Sequence, residues 1–228
     1  MIRIKDVKFS YKTGKDSASS PLVHIQNLDI LDGEKVFLFG PSGSGKTTFL
    51  ELLGGIQSPQ EGEIEVEGSR LDKMSPAQRD QWRSEKVGII FQSFNLIPSL
   101  NVLENVLAPN FWRTRENQIS QSKARELLGQ LGMSEFLDKA VFRLSLGQQQ
   151  RVAAARALAQ QPQVILADEP TSSLDQETRE EFLKSLFSLS ERMRTTLVFV
   201  SHDRTMGPLF DRQLNWLEIN SKSKGNCS

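Results

Sequence analysis

Apolar and polar residues alternate at the start of the chain, and the alternation predicts two short strands, Ile2–Phe9 and Val23–Ile30. Between them TGKDSASSP is a small-residue stretch of the kind found in surface loops. VFLF (36–39) and VGIIF (87–91) are unbroken apolar runs, the pattern of buried strands, while GEIEVEG alternates like an exposed one. Phe49, Leu50, Leu52 and Leu53 recur at helical spacing within TTFLELLGG, and Gly54-Gly55 ends that helix. A polar helix is expected near Pro76–Glu85. From about 94 to 160 strand runs give way to helical patterns. Asn101 with Glu104 three residues later matches a capping box, and Ser120–Leu131 and the Ala-rich Gln148–Gln160 read as helices. After Pro162 the alternation resumes with VILA (164–167), a helix over Gln176–Met193 and TLVFV (196–200). Strands alternating with helices predict an α/β fold with a mostly parallel sheet, and the helical block reads as an inserted subdomain. A single domain over 1–220 and a frayed tail over 221–228 complete this division.

Composition narrows the function classes. The 228 residues suffice for a substantial core. Lys+Arg and Asp+Glu both number 28, so no net charge favours a nucleic-acid partner, and none is expected. The only cysteine, Cys227, rules out a disulfide within the chain and suits a reducing compartment. MIRIKDVKFS lacks the apolar core of a signal peptide, and no apolar run reaches the ~20 residues of a membrane span. Work at a membrane therefore requires a separate spanning chain. With only a short stretch after WLEIN (216–220), neither a further domain nor a fused permease is expected.

Two segments carry the chemistry. GPSGSGKT (40–47) fits G-x-x-x-x-G-K-[ST] at Gly40, Gly45, Lys46 and Thr47, after an apolar strand and before a helix. Its residues Gly40, Pro41, Ser42, Gly43, Ser44 and Gly45 form a loop whose backbone N–H groups can turn toward phosphate oxygens. The helix behind adds the positive end of its dipole. In that arrangement Lys46 reaches the β- and γ-phosphates, the Thr47 hydroxyl ligates magnesium, and Thr48 adds a hydroxyl near the α-phosphate. VILADEPTSSLD (164–175) runs from apolar residues straight into Asp168 and Glu169. Asp168 can hold magnesium and Glu169 can orient or deprotonate an attacking water. Binding of ATP with magnesium, and its hydrolysis, are expected.

With further segments in the same order, the chain resembles the nucleotide-binding subunits of ATP-binding-cassette (ABC) transporters over nearly its whole length. GPSGSGKTT is similar to the family's Walker A, FQS around Gln92 to its Q-loop, LSLGQ (144–148) to its signature, ADEP to its Walker B, SSLD to its D-loop and SHD around His202 to its switch. The resemblance implies a phosphate-loop NTPase core with an N-terminal antiparallel β subdomain and the inserted helical one. It implies that Tyr11 stacks on adenine, that Gln92 touches magnesium and the attacking water, and that His202 contacts the γ-phosphate. It also implies that Ser145, Gly147 and Gln148 of the signature, with Asp175, act on the nucleotide of a second copy in a head-to-tail ATP sandwich. Leu146 departs from the usual LSGGQ. If that position needs φ > 0 or close backbone approach, leucine is costly there.

FNLIPSLNVLENV (94–106) resembles the subgroup serving lipoprotein release, macrolide or toxin efflux and antimicrobial-peptide resistance. That implies a cytoplasmic protein, peripheral on the inner face of the membrane, whose Q-loop and helical region receive an integral membrane permease. Phe94, Leu96, Ile97 and Leu100 are the expected docking cluster. A regulatory ABC subunit that signals through a membrane partner in cell division is the alternative. A soluble translation or repair protein fits less well, because the chain has one cassette, no coiled-coil insertion and no basic excess.

Overall fold

The structure is a computed structural model and describes residues 1–11, 21–113 and 118–221, with the side chain of Trp112 excepted. The connector between the first two strands, apart from Pro21, and the tail with Cys227, apart from Ser221, lie outside them. Along the chain the elements are β1 (Ile2–Phe9), β2 (Val23–Ile30), β3 (Lys35–Phe39), α1 (Lys46–Leu53), β4 (Glu61–Val66), β5 (Ser69–Arg70), α2 (Pro76–Lys86) and β6 (Val87–Ile90). There follow α3 (Val102–Leu107), α4 (Gln121–Gln130), α5 (Leu146–Leu158), β7 (Val164–Asp168), α6 (Gln176–Met193), β8 (Thr196–Ser201), β9 (Arg212–Asn215) and α7 (Trp216–Ile219). They gather into two compact units: Met1–Arg83 together with the chain from Val198 onward, and Ser84–Leu197.

In the first unit, β1 lies between β2 and β4 in an antiparallel sheet of order β2-β1-β4-β5. The register sets Ile2 opposite Ile30 and Ile4 opposite Leu28 on one side, and Ile2 opposite Val66 and Ile4 opposite Ile64 on the other. These residues share one face of the pleat and are buried, which is why the sequence alternates. Strands β8, β3 and β9 stand in that order, with β3 and β9 parallel. Val36, Phe37 and Leu38 are wholly buried, and Phe37 packs within about one ring width of Phe199 and Phe210.

In the second unit the order is β6-β7-β8, and β6 runs parallel to β7 with Val87 opposite Val164 and Ile90 opposite Ala167. Strands buried on both faces read as continuous apolar runs rather than alternating ones. The helices of this unit start where side chains satisfy their free N–H groups. Asn101 and Glu104 make the expected capping box on α3, Ser120 caps α4, Ser145 and Gln148 box α5, and Asp175 caps α6.

Three expectations shift. Helix α5 begins at Leu146 rather than Gln148, because Ser145 is its cap. Strand β9 was not legible in RQLN, where Leu214 alone is buried and the pairing with β3 supplies the order. Phe94 is 5% exposed and packs inward, so it is no part of a docking surface; Leu96, Ile97 and Leu100 are half-buried. No helix among the described residues is long and apolar enough to cross a membrane.

Candidate functional site

Strand β3 delivers the chain to Gly40, and the loop Pro41–Gly45 leads into α1. Gly43 and Gly45 take φ of 69° and 105°, which residues with a Cβ rarely adopt, and this turns the loop back upon itself. Helix α1 has no side-chain cap and no acidic residue in its first turn, whereas α3, α5 and α6 are all capped by side chains. The positive end of the helix dipole favours negative charge at this start. Lys46 is 5% exposed and arches back so that its ammonium donates to the carbonyls of Gly40 at 2.9 Å and Pro41 at 2.7 Å. A cation is thereby fixed inside the loop. Ser44 Oγ donates to the Pro41 carbonyl at 2.7 Å, Pro41 and Ser42 are exposed, and Thr47 stands exposed in the first turn.

Thr48 is buried, and its hydroxyl lies 3.2 Å from that of Tyr11. The Tyr11 hydroxyl also donates to Glu51 at 2.8 Å, and the ring meets Phe9 edge-on at 5.1 Å. Partial burial pushes the phenol pKa up, so Tyr11 stays a neutral donor at physiological pH. Its ring, 47% exposed, is tethered to α1 by its tip. His202 follows the last residue of β8 and is exposed; the turn after it is pinned by Asp203, whose carboxylate accepts from the Thr205 N–H at 3.0 Å. Trp216 was missed in the sequence. It is fully buried, its indole N–H donates to the Ser44 carbonyl at 2.8 Å, and its ring packs on Phe49 at 5.4 Å. It therefore braces both the loop and α1, and a tryptophan so near the end of the chain was the only available signal.

In the second unit Asp168 ends β7, half-buried, and Glu169 follows with φ of 44°. A left-handed glutamate costs roughly 1–2 kcal/mol, and such strain gathers where a side chain must be aimed. Gln92 stands exposed two residues beyond β6. Asp175 is the N-cap of α6: one carboxylate oxygen accepts from the Thr178 N–H and the other from its hydroxyl, both at 2.9 Å. The Thr178 amide is the main reason its pKa falls below the usual carboxylate range.

Ser145 and Gln148 are tied to each other, the Ser145 hydroxyl accepting from the Gln148 N–H at 3.3 Å and the Gln148 amide oxygen accepting from the Ser145 N–H at 3.1 Å. The Ser145 hydroxyl hydrogen is not used by that bond. A Cβ on Gly147 would lie 2.9 Å from Thr178 Cγ2, so the starts of α5 and α6 meet there with no room for a side chain. Leu146 has ordinary helical backbone and is 51% exposed. The position does not need φ > 0, and leucine carries no backbone penalty.

No group of three or more His, Cys, Asp or Glu able to hold a metal occurs among the described residues. The Thr47 hydroxyl in the first unit, and the Asp168 carboxylate and Gln92 amide oxygen in the second, are each oxygen donors of the hard type that Mg²⁺ takes.

Comparison with known proteins agrees with this chemistry. The family model described as ABC transporter matches residues 23–172. A lipoprotein-releasing system ATP-binding protein, LolD of Bacteroides fragilis, is 38% identical over 194 residues, covering 85% of this chain and 90% of the relative. The ABC transporter ATP-binding protein MJ0796 of Methanocaldococcus jannaschii is 41% identical over 207 residues, covering 89% and 87%. Among solved structures, the dimeric post-hydrolysis state of the MJ0796 cassette bound to ADP and Pi superposes with a TM-score of 0.84 at 37% identity, covering 94% of each chain. CbiO1 from Clostridium perfringens, part of the cbiONQ transporter complex, reaches 0.81 at 27% identity, over 94% of this chain and 83% of that one. With a family model over most of its length and relatives of this identity and coverage, the chain belongs to the ABC transporter family as its ATP-binding, ATP-hydrolysing subunit.

Proposed function

We propose that this ATPase works on the cytoplasmic face of a cell membrane, pairs head to tail with a second copy on binding ATP, and drives an integral permease that extracts lipoproteins or peptides or expels small molecules. The observation that carries the reading is the loop of residues 40–48, in which a side-chain-free helix start and an inward-held ammonium are ready for a triphosphate. The lipoprotein-releasing relative supports the substrate class, and the dimeric cassette supports the pairing.

Within this reading Lys46 and the N–H groups of residues 43–48 bind the β- and γ-phosphates. Thr47, Asp168 and Gln92 hold Mg²⁺, which when bound neutralises the phosphate charge. Glu169 takes the proton of the attacking water, its carboxylate aimed by the strained backbone that presents it. His202 and Gln92 orient the γ-phosphate and the water. Tyr11, tethered by its hydroxyl, offers its ring face to adenine. Ser145 and Gly147, with Gln148 holding the cap, meet the γ-phosphate bound by the second copy, while Asp175 shapes the α6 start beside them.

Glu169→Gln tests this. It keeps the backbone and removes the base, so turnover falls by about 10²–10⁴ while ATP affinity persists. The ATP-loaded variant, solubilised from the membranes of its own host, should co-purify with a polytopic permease in stoichiometric amount. Recovery with a cell-division membrane protein would favour the regulatory alternative. Recovery in the soluble fraction alone would overturn the membrane assignment.

A further inference from the structure

Two consecutive residues close behind Gln92, Phe94 and Asn95, take φ of 57° and 48°, and neither is glycine. A positive φ is unfavourable for a residue with a Cβ, most of all for the bulky phenylalanine, so this turn persists only because its surroundings hold it. Its own hydrogen bonds are local: Phe94 N–H to the Phe91 carbonyl at 3.0 Å and Asn95 N–H to the Ser93 carbonyl at 2.6 Å. The outside support comes from α5. The Arg156 guanidinium donates to the Phe94 and Asn95 carbonyls, each at 2.6 Å. Among the described residues it has no carboxylate partner, and burial pushes its pKa down. Helix α5 can come this near because β6 carries Gly88: a Cβ there would lie 2.6 Å from the Ala157 carbonyl, one residue along from Arg156. A second anchor, the buried Asn105, binds farther on, at Ile97, Leu100 and Asn101, and leaves the stretch beside Gln92 to Arg156.

We propose that Arg156 is a positioning residue for Gln92: its planar fork grips two successive carbonyls of a strained turn and fixes where the glutamine stands. The same helix carries the signature residues Ser145 and Gly147 at its other end, so one rigid element holds both. A lysine concentrates its donors on one compact, strongly hydrated ammonium instead of two nitrogens held apart in a plane, so it reproduces the grip only in part. The inference rests on the role given above to Gln92. Among the described residues the hydrogen bonds of Arg156 go to the turn behind Gln92, so the clamp acts on hydrolysis through Gln92 rather than on nucleotide affinity.

The test measures kcat, KM, ATP dissociation constant and Tm for Gln92→Ala, Arg156→Lys and Arg156→Met, the last two with and without Asn95→Gly. Arg156→Met should lower kcat at least tenfold with KM and ATP affinity within about twofold, and Arg156→Lys should fall between it and the parent. Glycine holds φ of 48° without strain, so Asn95→Gly should restore several-fold of the lost kcat. A normal kcat in both Arg156 variants, beside a slow Gln92→Ala, overturns the clamp alone. Recovery of Tm without recovery of kcat also overturns it, because the arginine is then only structural. An unaffected Gln92→Ala removes the role of Gln92, and the clamp's purpose with it.

Discussion

Leu146 shows how much one residue's meaning depends on its backbone. In the sequence it is a leucine where the family resemblance leads one to expect glycine, and either strain or crowding would make it costly. The structure removes the first: residue 146 is the first residue of α5, in helical conformation, with its side chain half in solvent. What remains is a branched group standing beside Ser145 at the helix start that we propose faces the second copy. Leu146→Gly should therefore raise ATPase turnover and the fraction of ATP-bound dimer, while costing at most about 1 kcal/mol of stability from glycine in a helix. Steady-state turnover and sedimentation with ATP check this; equal values for both proteins would show that the leucine is neutral. Glu169 is the opposite case. Its side chain was legible in ADEP, but its left-handed backbone was not, because the strain exists only where β7 stops and the following turn begins.

At the scale of elements, the starts of α5 and α6 form one structure. Asp175 caps α6 through both atoms of Thr178, and the methyl of that threonine lies against Gly147. Gly147→Ala should destabilise the fold by about 1–3 kcal/mol through overpacking. Thr178→Ser keeps the hydroxyl bonded to Asp175 but removes the obstructing methyl, so the double variant should regain most of that loss. Denaturant unfolding of the four proteins measures the coupling; strict additivity would show that the two sites do not touch. The sequence located both helices, and Asn101 with Glu104 named one cap in advance, because caps are local chemistry. That Gly147 is a contact glycine was beyond it, since Thr178 is thirty-one positions away.

At the scale of the whole molecule, the proposed sandwich predicts a nucleotide-dependent change of assembly. Glu169→Gln should sediment as a dimer with ATP and as a monomer with ADP. Lys46→Ala should remain monomeric with either and lose ATP affinity at least tenfold, or about 1.4 kcal/mol. A Lys46→Ala protein that binds ATP normally would remove the loop's assigned role.

By itself the sequence determined the α/β class, most strands and helices, and where the glycine-rich loop and the two adjacent carboxylates fall along the chain. Those features are written in short-range patterns: periodicity, turn residues and a motif whose spacing the chemistry of phosphate binding imposes. Only the tertiary structure decided which residues brace them. Trp216 reaches back to Ser44, Arg156 grips the turn behind Gln92, Phe94 turns inward, and β9 exists because β3 pairs with it. Each of these depends on a partner distant along the chain, and a pairing of that kind leaves no periodic trace in either segment.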